Sequence, residues 1–246
     1  MKITDHFETS GNWLFRWRSY VPVLLLGMAL ASLRESHDPA GSRTWDMILE
    51  LGSAAVGLLG VAIRADAVGH AAYRTSGRNT REQIADSLNT TGLYSIMRHP
   101  LYLGNTLMWF SVALFVESWS LAIITLLVSA LYHERIICAE EVFLERKFGA
   151  EFRDWAARTP AVWPNFSLWK SPSLPFAWRH ALQREYLGLF ALLTTYFVAD
   201  IVSDWVCLDK LELDPVWLGI WLVGLLMFVV VRFLRKKTRV LYVAGR

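Results

Sequence analysis

Residues 90–105 read Thr90-Thr91-Gly92-Leu93-Tyr94-Ser95-Ile96-Met97-Arg98-His99-Pro100-Leu101-Tyr102-Leu103-Gly104-Asn105, a polar turn that runs straight into an apolar segment. Pro100 suits the first position of a helix, where its missing N–H costs nothing and its fixed φ is already helical. The pattern predicts a helix start with free backbone donors and the positive end of the helix dipole behind them. Arg98 and His99 add side-chain donors there, and Tyr102 and Gly104 fall on the first turn. Such a corner suits a carboxylate or a phosphate. A basic cluster at the edge of a membrane helix also serves as an interfacial anchor. A second group is the adjacent pair Glu140-Glu141. Neighbouring carboxylates at a membrane interface are costly if buried unpaired. One of them could pair with Arg98 or Arg135, leaving the other for a cationic or hydroxylated ligand. Solvated positions on an amphipathic helix are the plainer alternative. A third group, Thr75-Ser76-Gly77-Arg78-Asn79-Thr80, packs hydroxyls, an amide, a glycine and an arginine into a short run. That makes an oxyanion cradle or a solvated turn.

The elements that must carry these groups are membrane helices. The 246-residue chain is 54% apolar with 12 Trp, and several of its apolar runs approach the length needed to cross a hydrocarbon core, about 20 residues. A net charge of +3, tied to loops, gives no basis for nucleic-acid binding. Cys138 and Cys207 form no CxxC and no metal-ligand spacing, so they read as small buried hydrophobes and no metal site is expected.

The expected fold is all-α, a polytopic bundle of about six transmembrane helices with cytoplasmic amphipathic helices. The spans fall at 20–33, 47–68, 101–115, 119–137, 186–205 and 216–234, with 101–115 and 119–137 joined as a tight helical hairpin by Val116-Glu117-Ser118. Ala29-Leu30-Ala31 resembles a signal-peptidase site, but Asp5 and Glu8 in a long preceding segment favour a first transmembrane helix. Arg64 and Asp66, near the end of the second span, could pair with each other or join a site. A separate amphipathic helix is expected over 139–149, ending at Gly149, with another amphipathic turn over 151–158. Lys and Arg gather in the N-terminal segment, in 69–100, in 138–184 and in the tail, whereas 209–214 is acidic. That segregation places both termini and the polar chemistry on the cytoplasmic side.

Gly92-Leu93-Tyr94, then Arg98-His99-Pro100-Leu101-Tyr102-Leu103-Gly104, a hairpin, Glu140-Glu141-Val142-Phe143-Leu144, Phe148-Gly149, Phe152, Trp155 and a closing Pro160 and Pro164 resemble one known group of enzymes. This is the isoprenylcysteine carboxyl methyltransferase and phospholipid methyltransferase superfamily, and the likeness covers about residues 88–164. The resemblance implies an integral membrane methyltransferase that uses S-adenosylmethionine without a Rossmann domain. The lack of a Gly-rich strand–helix fingerprint agrees with that. It also implies a cofactor site of Tyr94, Arg98, His99, Tyr102, Gly104, Glu140 and Glu141. The implied division is N-terminal helices and loop over 1–87, a methyltransferase core over 88–164, and a C-terminal helix pair over 165–246.

The acceptor is read from the loop before the motif. Thr75–Thr80 with Asn89-Thr90-Thr91 resembles a subgroup linked to methylation of a lipid A phosphate. Arg78, with Arg135 as the other candidate, is assigned to the acceptor as a catalytic residue. The expected activity is O-methylation of a lipid oxyanion, phosphate ahead of a prenylcysteine-type carboxylate. A phospholipid amine would ask instead for carboxylates or aromatic faces, and a non-enzymatic membrane scaffold would bind no S-adenosylmethionine. The expected partners are a membrane lipid substrate and the bilayer, with no nucleic acid and no obligate protein partner. The expected location is the bacterial inner membrane.

Overall fold

The computed structural model describes residues 3–36, 43–72, 75, 83–208 and 213–245. Among them the regular structure is helical throughout: α1 (Ile3–Trp17), α2 (Val21–Ser36), α3 (Arg43–Gly69), α4 (Leu93–Ile96), α5 (Pro100–Phe115), α6 (Trp119–Phe148), α7 (Ala150–Ala156), α8 (Trp178–Leu208) and α9 (Pro215–Lys237). A single 3₁₀ turn lies at Phe166–Leu168.

Four helices, α3, α6, α8 and α9, are long and apolar enough to cross a membrane. Their flanks leave Leu58, Leu127, Val223 and Leu226 exposed, an apolar exterior that suits lipid. The chain is an integral membrane protein. The structure differs from the expectation of about six spans in two particulars. The first apolar run forms only the second arm of a pair, α1 and α2, that meets at a 75° bend. Helix α5 has 16 residues, about 24 Å of helix against a hydrocarbon core of about 30 Å. Among the described residues four helices are therefore long and apolar enough to span, or five spans if the bent pair is one.

The hairpin forms where the sequence placed it. Glu117 takes φ 55 at its tip, and Ser118 caps α6 by accepting from the Leu121 N–H at 3.3 Å. The separate amphipathic helix expected over 139–149 is instead the last part of α6, which runs unbroken to Phe148 and stops at Gly149 with φ 57. Nothing in 137–141 breaks a helix, so the change from apolar to amphipathic pattern marks where α6 leaves the apolar layer. Helix α8 starts at Trp178, ahead of the span expected from residue 186.

The core joins α2, α3, α5, α8 and α9 around Tyr196, whose hydroxyl pairs with Ser111 Oγ at 2.6 Å and donates to the Ser53 carbonyl at 3.3 Å. Phe115 stacks on its ring, and Trp217 meets Phe115 edge-on. Gly57 faces the Tyr196 hydroxyl so closely that a Cβ would collide with it. A second close approach brings α3 against α5: a Cβ on Gly104 would lie 2.5 Å from Arg64 Cγ and 2.7 Å from the Gly60 carbonyl. These two crossings hold α5 deep in the bundle, with its N-terminal end at the polar side.

Candidate active site

The start of α5 is held by the segment that follows α7. The Arg98 N–H donates to Pro160 O at 2.9 Å, and the His99 N–H donates to Ala161 O at 3.0 Å. Further along, Asn165 N–H donates to Ile96 O, and Lys170 N–H donates to Ser95 Oγ, each at 2.9 Å. Trp155 Nε1–H reaches the Tyr94 carbonyl at 3.2 Å. The closing prolines thus belong to a brace across the motif. This corrects the expectation of free backbone donors at Arg98 and His99, because both are spent on carbonyls of the brace.

The Arg98 guanidinium is used in the same way. Its Nε donates to Glu141 Oε1 at 2.8 Å, and its Nη1 donates to the carbonyls of Ala156 and Thr159. His99 is buried and lies 2.9 Å from the same Glu141 oxygen. A carboxylate only accepts, so His99 donates through Nε2. The neighbouring glutamate behaves differently. Glu140 accepts from the Tyr102 hydroxyl at 2.7 Å and faces a cavity.

That cavity has a volume of about 520 Å³, within the range of small-molecule sites. Tyr94, Arg98, His99, Tyr102 and Glu140 contribute to its polar wall. Loss of solvent, reinforced by the Glu140 carboxylate, pushes the Tyr94 hydroxyl well above its usual pKa, so it stays a neutral phenol. Leu25 and Leu26 of α2 with Leu187 and Ala191 of α8 line an apolar flank.

Three sequence candidates are placed elsewhere. Glu141 does not line the cavity and acts on it through Arg98 and His99. Gly104 serves the α3–α5 crossing. Arg135 lies with its guanidinium 3.6 Å from the centre of the Phe7 ring, against α1, and is absent from the cavity wall. Its assignment to the acceptor is corrected on that ground. Arg78 lies outside the described residues, as does all of 75–80 except Thr75, which is in the wall.

The structure adds residues that sequence reasoning did not assign to the site. Arg64 does not pair with Asp66. It forms a two-pronged ion pair with Glu185 of α8, at 2.8 and 2.9 Å, and donates to Asn105 Oδ1 at 2.6 Å. Asp66 instead lies 3.5 Å from His70 Nε2. Arg64, Asn105 and Glu185 all line the cavity. A glutamate opening a long apolar run was the available signal. Trp109, Tyr132 and His133 form an aromatic corner of the same wall.

Residues 53–151 match the family described as phospholipid methyltransferase. The nickel-cobalt-cadmium resistance protein NccN of Alcaligenes xylosoxydans xylosoxydans is 35% identical over 158 residues, 64% of this chain and 67% of that protein. The cobalt-zinc-cadmium resistance protein CzcN of Cupriavidus metallidurans is 31% identical over 191 residues, 75% of this chain and 84% of that one. This chain belongs to the phospholipid methyltransferase family. The family match takes in α3 from residue 53 onward, the hairpin, Arg98, His99 and both glutamates. It leaves outside the brace at 160–170 and α8 with Glu185, so part of the cavity wall lies beyond the family region. No solved structure matches the chain. Among the described residues no group of three His, Cys, Asp or Glu is arranged to hold a metal ion.

Proposed function

We propose that the protein is a membrane-embedded methyltransferase that uses S-adenosylmethionine and acts on an oxyanion of a lipid, a phosphate ahead of a carboxylate. The observation that carries this reading is the cavity, which joins the polar group Tyr94, His99, Tyr102 and Glu140 to an apolar flank of α2 and α8. The residues present fit the cofactor. Glu140 suits an ammonium or ribose hydroxyls, and the rings of Tyr102, Trp109 and Tyr132 suit a cationic sulfonium. When bound, S-adenosylmethionine supplies an electrophilic methyl group on that sulfonium.

The chain's own part is placement and desolvation. Glu141 holds Arg98 and His99, the brace holds the backbone, and the helix flank between α2 and α8 admits an acyl chain from the bilayer. Arg18 and Arg184 in the wall support an anionic head group. The lipid A phosphate subgroup rests on the sequence pattern at 75–80 and 89–91. The charge distribution supports a cytoplasmic site, and the reading places it at a bacterial inner membrane. Arg146, Lys147, Arg235, Lys236 and Lys237 end α6 and α9 on the side of the motif, whereas Glu117 and Asp214 lie at the opposite ends of α5 and α9.

The relatives' names report resistance to divalent metals. Methylating a lipid phosphate removes an ionisable oxygen that such cations would otherwise bind, which makes those names compatible with this activity. The test is transfer of labelled methyl from S-adenosylmethionine into extracted bacterial lipids by the purified protein. Label in a phosphate ester supports the reading, and label in an amine headgroup contradicts the acceptor class.

A further inference from the structure

Three rings surround the imidazole of His133. Trp109 stacks on it at 5.2 Å between centroids, Tyr102 lies at 5.1 Å, and Tyr132 meets it edge-on at 5.3 Å. The residue is 5% exposed and forms part of the cavity wall.

Its two nitrogens differ. Nδ1 lies 3.1 Å from Thr106 Oγ1. That hydroxyl already donates its hydrogen to the Tyr102 carbonyl at 3.0 Å, so toward His133 it accepts. Nδ1 therefore carries the ring hydrogen, and in a neutral imidazole the other nitrogen presents a lone pair. Nε2 is buried and has no hydrogen-bond partner. Buried polar atoms in folded proteins are overwhelmingly paired, and an orphan calls for an explanation. Here the ring that carries the orphan sits in the wall of the candidate active site.

We propose that Nε2 of His133 accepts the hydrogen of the acceptor's nucleophilic group, and that the acceptor is a phosphate monoester bound in its singly protonated form. The inference rests on the methyltransferase reading above and narrows its substrate. A carboxylate brings no hydrogen to Nε2 and would set lone pair against lone pair. A phosphate monoester keeps one P–O–H below its second ionisation, at about pH 6 in water, and leaving water favours the less charged form. In the transfer step a phosphate oxygen forms a bond to the methyl carbon. The carbon–sulfur bond breaks with its electron pair left on sulfur, so the sulfonium becomes a thioether. The phosphate proton passes to Nε2. The methyl phosphodiester has no remaining hydrogen to donate, and the proton on Nε2 must leave before His133 can accept from the next substrate.

The test uses the full chain with ¹⁵N-labelled histidine in phosphatidylcholine nanodiscs, with phosphatidic acid as the probe and inorganic phosphate as a second arm. His133→Phe keeps the ring stack and identifies the His133 resonances by their loss. The expected spectrum shows Nδ1 protonated and Nε2 bare, with Nε2 moving on addition of phosphatidic acid and much less with inorganic phosphate. His133→Phe should leave S-adenosylmethionine binding unchanged and slow methylation of phosphatidic acid about a hundredfold. A protonated Nε2 in the free protein, no response to phosphatidic acid, or an equal response to inorganic phosphate would overturn the proposal. Failure of the wild type to bind S-adenosylmethionine would sink the methyltransferase reading and the transfer step with it, whereas an Nε2 response to phosphatidic acid would still place a protonated phosphate monoester at His133.

Discussion

Arg98 and His99 meet on one atom: Oε1 of Glu141 accepts from Arg98 Nε at 2.8 Å and from His99 Nε2 at 2.9 Å. The adjacent Glu140 turns to the cavity and to Tyr102. One glutamate of the pair positions the motif, and the other is left for a ligand.

Glu141→Ala should therefore loosen the motif as well as the site. Charge-assisted hydrogen bonds contribute about 1.5–3 kcal/mol each, and the partial exposure of Glu141, 25% for its side chain, puts the loss near the lower end. We expect a lower unfolding midpoint in detergent together with weakened S-adenosylmethionine binding. His99→Ala should weaken binding in the same way. An unchanged midpoint in Glu141→Ala would contradict the positioning role.

Glu140→Gln should separate binding from folding. Its carboxylate accepts one hydrogen bond, from Tyr102, and lies 3.7 Å from His99 Nδ1 at the cavity wall, so the unfolding midpoint should stay within the range of surface substitutions, about 0.5 kcal/mol. Affinity for S-adenosylmethionine should fall tenfold or more, about 1.4 kcal/mol. Calorimetry with a parallel melt checks both.

Arg64 and Glu185 form an ion pair that ties α8 to α3 beside the cavity. Removing one partner of a buried pair leaves the other uncompensated and costs about 3–5 kcal/mol, whereas replacing both with apolar residues is often neutral. Arg64 is 19% exposed, which trims the single-variant cost. Glu185→Leu should destabilise strongly, and the double variant Arg64→Met with Glu185→Leu should recover much of the loss. Additive losses in a double-mutant cycle would contradict the pairing.

Gly104→Ala tests whether this motif glycine serves packing or ligand. The added Cβ would meet Arg64 Cγ and the Gly60 carbonyl, and overpacking of this kind costs about 1–3 kcal/mol. The expected result is a lower unfolding midpoint. Normal stability with lost cofactor binding would return Gly104 to the site.

The motif was legible because its chemistry is local. Residues 92–105 and 140–141 carry their polar groups in short runs, and the Val116–Ser118 hairpin brings them to one side of the bundle. Glu185 was hidden because its partner is 121 positions away and no periodicity encodes that pairing. Arg135 was misplaced because position on α6 does not show which face meets α1, where Phe7 takes its guanidinium. Gly104 was ambiguous on principle, since a glycine permits close approach by a helix or by a ligand alike. The free donors expected before Pro100 are taken by carbonyls at 160–161, a contact set by tertiary folding.

The most direct test of the account is calorimetric titration of S-adenosylmethionine into the detergent-purified full chain, with Glu140→Gln and Arg135→Gln alongside. The account predicts saturable binding to the wild type, affinity at least tenfold weaker in Glu140→Gln, and wild-type affinity in Arg135→Gln. A folded wild type that takes up no S-adenosylmethionine would contradict it and leave a membrane protein that keeps the family fold without the family's chemistry.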